Sequence, residues 1–277
     1  MKNNLFLRTL TGIVYVAALV GGILGGVYSY ATLFSVIVGL CLWEFYGLVN
    51  TNKQVNVSRY INVCGGIYLF LATFFFIWNE NIGFSVYLPY LFYLLIIFIC
   101  ELYRKKENPL LNWAYSFLGQ IYIALPLSLL NRIAFLPSES GMKYVPFLLL
   151  SLFVFIWIND TGAYLVGSSC GKHRLFERIS PKKSWEGFLG GMILSALSAL
   201  VFAHFYSEIS CLHWIGLAIL VVIFATFGDL TESLIKRTLK VKDSGNVLPG
   251  HGGFLDRLDS LLFAVYVLFF YAEIFLS

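Results

Sequence analysis

The sequence predicts an all-α fold, a polytopic transmembrane helical bundle, and three observations carry that expectation. Of 277 residues, 59% are hydrophobic, 18% aromatic and 12% charged, whereas soluble domains carry about a quarter charged residues. Apolar runs of roughly 20 residues, enough to cross a hydrocarbon core, recur with short polar breaks and leave no soluble domain over. The charges that do occur gather in a few short segments, most densely between Ser233 and Asp259.

About nine spans can be drawn, near residues 9–27, 31–50, 60–78, 84–103, 110–130, 145–167, 186–205, 212–231 and 254–275. The first follows Lys2 and Arg8 and lacks an A-x-A cleavage pattern near Tyr28, so it predicts a retained helix rather than a signal peptide. Its Gly21-Gly22 and Gly25-Gly26 pairs allow close helix packing, within one chain or in a homo-oligomer. In the second span Glu44 follows Trp43 near a membrane boundary, where a hydrated acid is ordinary; Glu44→Gln is expected to be mild. Cys41, Cys64, Cys100, Cys170 and Cys211 show no metal-like spacing and are expected to be packing thiols. The linear division is residues 1–140, about five spans with little chemistry, and 141–277, which holds loops 168–185 and 232–253.

With the N-terminus cytoplasmic, alternate segments collect every Lys and Arg except Arg132 and Lys143. This is a strong positive-inside bias. It places the acids of the second half at one face.

Asp160, late in the sixth span, is the first of these. A carboxylate inside lipid costs about 2.5–3.5 kcal/mol on insertion scales, so it points to a function or a buried ion pair. The next loop holds Ser180, Pro181, Lys182 and Lys183, a hydroxyl and two ammonium groups at a proline-fixed turn suited to phosphate. Gly171-Lys172 does not complete a Walker motif, since Val166 and His173 occupy required Gly and Ser/Thr places. Asp229 closes the eighth span. The segment 233–259 then supplies Lys236, Arg237, Lys240, Lys242 and Arg257 as cations, Asp243, Asp256 and Asp259 as carboxylates, and His251 among Gly250, Gly252 and Gly253. Cations neutralise phosphate, glycine N–H groups approach it closely, and carboxylates hold a bridging divalent ion. If a helix begins near Phe254, Asp256 and Asp259 share one face. A basic loop that merely sets topology would also carry such charge.

The order of residues separates these readings. Ser233, Lys236-Arg237, Lys242-Asp243, Gly245, Leu248-Pro249, His251-Gly252-Gly253, Asp256-Arg257 and Asp259 fall at the spacings of the signature of phosphatidate cytidylyltransferases, also called CDP-diacylglycerol synthases. The chain resembles that family over its last 120 residues or so, with Asp160 and the 171–187 loop also similar. The resemblance implies that CTP and phosphatidate react at a membrane, with Mg²⁺, to give CDP-diacylglycerol and pyrophosphate. It implies Asp229 and Asp256 as metal ligands, with a second cation open. Lys236 and Arg237 would clamp phosphate and His251 would act as base, phosphate donor or loop residue. Asp160, Ser180, Lys182, Lys183, Lys242, Asp243, Gly252, Gly253, Arg257 and Asp259 would surround the nucleotide or lipid headgroup. No nucleic acid is expected as a partner. The competing readings are a CTP-dependent lipid-alcohol kinase and an ion-coupled transporter; the latter would want midplane acids and repeated halves.

Overall fold

The structure is a computed structural model that describes residues 2–138, 141–245, 247 and 252–275, and only the backbone of residues 2–8 and 138. Among the described residues seven stretches are long and apolar enough to cross a membrane: Val27–Val49, Arg59–Trp78, Phe84–Arg104, Pro109–Ala134, Pro146–Cys170, Trp185–Phe205 and Cys211–Thr238. The protein is therefore helical and multi-pass. The two end helices of the nine-span drawing fall short of that length, the first with its apolar part at Thr9–Leu24 and the last with 17 residues.

The chain folds as two compact units, Met1–Tyr144 with Leu239–Arg257, and Val145–Thr238 with Leu258–Ser277. The linear division at residue 140 misses this interruption. Much of the signature segment belongs with the N-terminal helices.

In the first unit, α1 (Lys2–Leu24) turns into α2 (Val27–Val49) at Gly26, whose φ of 99° favours glycine. Gly22 faces Leu33 of α2, so this glycine packs within the chain. The helices α3 (Arg59–Trp78), α4 (Leu88–Arg104), α5 (Pro109–Gly119) and α6 (Leu125–Ala134) follow, with a hairpin of β1 (Phe135–Ser138) and β2 (Gly141–Tyr144). Between α5 and α6 the backbone widens into a π turn at Gln120–Ala124. Pro126 explains it, because proline lacks an N–H and its ring crowds the carbonyl four residues back. Tyr30, Phe34, Phe70 and Phe135 form an aromatic core. A polar seam joins Tyr46 to the Ser116 carbonyl at 2.8 Å, Gln120 to Tyr46 at 3.1 Å, and Tyr93 to Asn62 at 2.8 Å. Such bonds link helices where lipid offers no hydrophobic drive between them. Of the five cysteines only Cys41 is buried, so packing does not account for Cys64, Cys170 or Cys211, which are exposed.

The second unit is built from α7 (Pro146–Cys170), a hairpin of β3 (Arg174–Phe176) and β4 (Ser180–Ser184), α8 (Trp185–Phe205), α9 (Cys211–Thr238) and α10 (Asp259–Phe275). A seam of small residues brings α7 and α8 together: a side chain at Gly162 would reach the Gly191 Cα within 3.0 Å, and one at Gly187 the Ala163 carbonyl within 2.7 Å. Ser195 Oγ donates to the Phe155 carbonyl at 2.9 Å, and Trp214 stacks on Phe202. The expected loop 232–253 begins late. α9 continues through Ser233, Lys236 and Arg237 to Thr238, because these polar residues mark a membrane boundary without breaking the helix. Asp256 and Asp259 also do not share a helix face: Asp256 lies in a 3₁₀ turn, Leu255–Arg257, and α10 starts at Asp259.

Candidate active site

The long α9 arranges charge along its last turns. Asp229 and Ser233 meet side by side, Ser233 Oγ 3.3 Å from Asp229 Oδ1. Glu232 pairs with Lys236 one turn on. Glu232 is only 1% exposed. Removing one partner of a buried pair costs about 3–5 kcal/mol, so the charge of Lys236 is answered from within its own helix. Arg237, next along, is exposed.

The β3–β4 hairpin delivers the second basic cluster to this helix. Lys183, on β4, is paired with Asp229 Oδ2. Their side chains remain 31% and 30% exposed, and pairs this open contribute at most about 1 kcal/mol, so the contact matters for placement more than for stability. The hairpin is itself anchored. Ser184 Oγ caps α8 by accepting from the Gly187 N–H at 3.2 Å, and the Glu186 carboxylate accepts from the Lys172 and His173 N–H groups at 3.1 and 3.2 Å. Ser180 is half-buried at the start of β4 and Lys182 exposed.

Beside this pair lies a cavity of about 220 Å³ whose walls include Asn159, Asp160, Tyr164, Lys182, Lys183 and Thr226. Asp160 is thus exposed and lines this cavity, whose walls also include Leu175 and Phe188, rather than being buried in the core. Asp259 completes the group. It is buried at the first position of α10 and lies close enough to feel the charges of Asp229, Lys236 and Asp160. Gly228 makes this possible, since a side chain there would come within 2.5 Å of the Asp259 carbonyl. The donors in this unit, three carboxylates interleaved with Lys183 and Lys236, are hard oxygens of the kind Mg²⁺ takes. Among the described residues no three of His, Cys, Asp and Glu enclose an ion by themselves.

In the first unit the signature turn is closed by two carboxylates. Asp256 Oδ2 accepts from the N–H groups of Ser244 and Gly253, each at 2.9 Å. Glu44 Oε2, from α2, accepts from the Leu255 N–H at 2.8 Å and from Ser244 Oγ at 3.4 Å. The Gly253 N–H, expected from the sequence to approach a phosphate, donates to Asp256 here. Glu44 is 5% exposed, in contrast to the hydrated boundary acid that the sequence suggested. Only Gly252 of the described glycines here has a left-handed backbone, with φ +86°.

A model of the Cytidylyltransferase family matches residues 6–275. The chain is also 31% identical over 260 residues to a protein from Staphylococcus aureus named phosphatidate cytidylyltransferase, and 32% identical over 284 residues to one of that name from Haemophilus influenzae. Each comparison covers 93% of this chain and 95% of the relative. This chain belongs to the cytidylyltransferase family. It is a nucleotidyltransferase.

Within this family member the site residues expected from sequence divide between the two units. Asp160, Ser180, Lys182, Lys183, Asp229, Lys236, Arg237 and Asp259 belong to the second, and Lys242, Asp243, Gly252, Gly253, Asp256 and Arg257 to the first. Lys242, Asp243 and Arg257 are exposed. His251 lies outside the described residues, as do Leu248 and Pro249. Sequence reasoning left Glu44 and Glu232 without a role. The signal for Glu232 was legible, a carboxylate four residues before Lys236 on a helix; Glu44 offered none, because its partners lie 200 and 211 residues away.

Proposed function

We propose that this cytidylyltransferase is a phosphatidate cytidylyltransferase that converts CTP and phosphatidate to CDP-diacylglycerol and pyrophosphate. The observation that carries this reading is the similarity, over 93% of the chain, to proteins of that name. A lipid phosphate oxygen attacks the α-phosphorus of CTP, one P–O bond forms, and the bond to the β-phosphate breaks as pyrophosphate leaves in line. No covalent protein intermediate is needed, so the protein's task is to position two polyanions and neutralise their charge.

In this reading Lys182, Lys183 and Arg237 receive phosphate oxygens, while Lys236 shares its charge with Glu232. The Lys183–Asp229 pair holds the ammonium ready before substrate arrives. Mg²⁺, when bound, would supply positive charge that offsets the charge of the phosphates. The signature implies Asp229 and Asp256 as its ligands, and Asp259, beside Asp229 in the same unit, adds a carboxylate. Lys242, Asp243, Gly252, His251 and Arg257 are assigned to the nucleotide or headgroup by the resemblance alone. We place the reaction at the cytoplasmic face of a nine-span protein, N-terminus inside and C-terminus outside, because all Lys and Arg but Arg132 and Lys143 then fall on that side.

The test is transfer from CTP with distinguishable labels on its α- and γ-phosphates, given with phosphatidate and Mg²⁺ to purified protein in detergent. The α-label and cytidine are expected in lipid, with the γ-label released as pyrophosphate. A γ-label in lipid would mark a kinase, and folded protein that labels no lipid would defeat the reading.

A further inference from the structure

We infer that Glu44 is a positioning residue of the reaction, a buried carboxylate that sets the turn presenting Asp256 and Arg257. The inference rests on the proposed cytidylyltransferase activity, but its observations lie wholly in the first unit. Glu44 sits on α2 near the end of an apolar helix, where a carboxylate is costly unless donors meet it. Donors meet its Oε2 from both arms of the turn, the Ser244 hydroxyl from the incoming arm and the Leu255 N–H from the outgoing one, while Oε1 has no hydrogen-bond partner among the described residues. Ser244 is held a second time through its own N–H, which donates to Asp256 Oδ2. A shift of the Glu44 carboxylate therefore passes through one residue to the Asp256 carboxylate.

Two glycines of the turn gain an explanation from the same contact. Neither Gly245 nor Gly253 has a left-handed backbone, so conformation alone does not require glycine at either place. Space does. A side chain at Gly245 would come within 2.6 Å of Glu44 Oε1, and one at Gly253 within 2.7 Å of Oε2 while striking Ser244 Oγ. Gly245 and Gly253 thus read as the room left for an incoming carboxylate. An apolar side chain on α2 would fill that room but strand the Leu255 N–H and the Ser244 hydroxyl without an acceptor. The bond through Leu255 also fixes the residue directly before Asp256, so Glu44 acts on the acid through its backbone as well as through Ser244 at its carboxylate.

The test uses the full chain in detergent, with Glu44→Leu, Glu44→Gln, Gly245→Ala and the double variant Glu44→Ala/Gly245→Ala. Glu44→Leu is expected to lower kcat at least about tenfold while the KM for CTP and for phosphatidate stays within about threefold, the pattern of a misplaced catalytic group rather than a lost binding contact. Amide hydrogen exchange in peptides covering 239–257 should quicken at least about tenfold, with peptides of α7 and α8 unchanged. Glu44→Gln keeps one acceptor oxygen and should recover most of both. Gly245→Ala should reproduce the loss with Glu44 in place, and the double variant should be no worse than the poorer single one, as for two changes acting through one contact. Should Glu44→Leu fail to fold, Gly245→Ala and its pairing with Glu44→Ala decide the matter. Wild-type kcat in a folded Glu44→Leu or Gly245→Ala protein would overturn the role, as would a loss confined to KM. Wild-type protein that transfers no α-label would instead defeat the cytidylyltransferase reading beneath it.

Discussion

At Asp229 one side chain meets an ammonium from β4 on one oxygen and a hydroxyl from its own helix on the other. Asp229→Asn keeps the shape and removes the charge, so turnover is expected to fall by about 10²-fold or more, a loss typical of removing one preorganised charge partner. Lys183→Gln should lower activity as well but leave thermal unfolding nearly unchanged, since the exposed pair contributes at most about 1 kcal/mol. Label transfer and unfolding in detergent, measured on the same samples, check both. Near-normal turnover of Asp229→Asn at limiting Mg²⁺ would remove it from the machinery. Asp229 and Lys183 were legible because a charge stands out in so apolar a chain. That they touch was not, since the sequence suggested a proline-fixed turn at Ser180-Pro181-Lys182-Lys183, whereas these residues form strand β4 of the hairpin that joins them. Glu44 was misread for the opposite reason: an acid beside a tryptophan near a span end looks ordinary until its distant partners are known.

Among the elements, α9 does most to fix the site. Trp214 buries its first turns in aromatic packing, and Asp229 stands about 22 Å further along the same rigid rod. The contact with α10 runs through Gly228, where any side chain would press on the Asp259 carbonyl. Gly228→Ala should therefore destabilise the protein by about 1–3 kcal/mol, as overpacking does, despite alanine's better helix propensity, and should cost activity by moving Asp259. Gly216→Ala on the same helix is the control. Its added carbon would meet only the Tyr271 hydroxyl at 3.5 Å, an ordinary contact, so no loss of stability is expected and helix propensity favours a gain of up to about 1 kcal/mol. Equal effects of the two substitutions in thermal unfolding would contradict the packing argument. The existence of these helices was plain from hydropathy. Their ends were not, because Lys236, Arg237 and Thr238 leave the apolar run without leaving the helix.

For the molecule as a whole, the division of basic residues makes a topological prediction. Reporter fusions near Asn108 and after Ser277 should report opposite compartments, and the same compartment for both would overturn the nine-span arrangement. The bundle class was readable from composition; the two-unit organisation was not, because it depends on residues 239–257 returning to helices made much earlier. That return has a consequence in time. Glu44 is synthesised 200 residues before Ser244 and 211 before Leu255. At ribosomal speeds of about 5–20 residues per second, its carboxylate waits roughly 10–40 s for the donors that will satisfy it. Throughout that interval water has to serve the acid in place of Ser244 and Leu255, which are yet to be made.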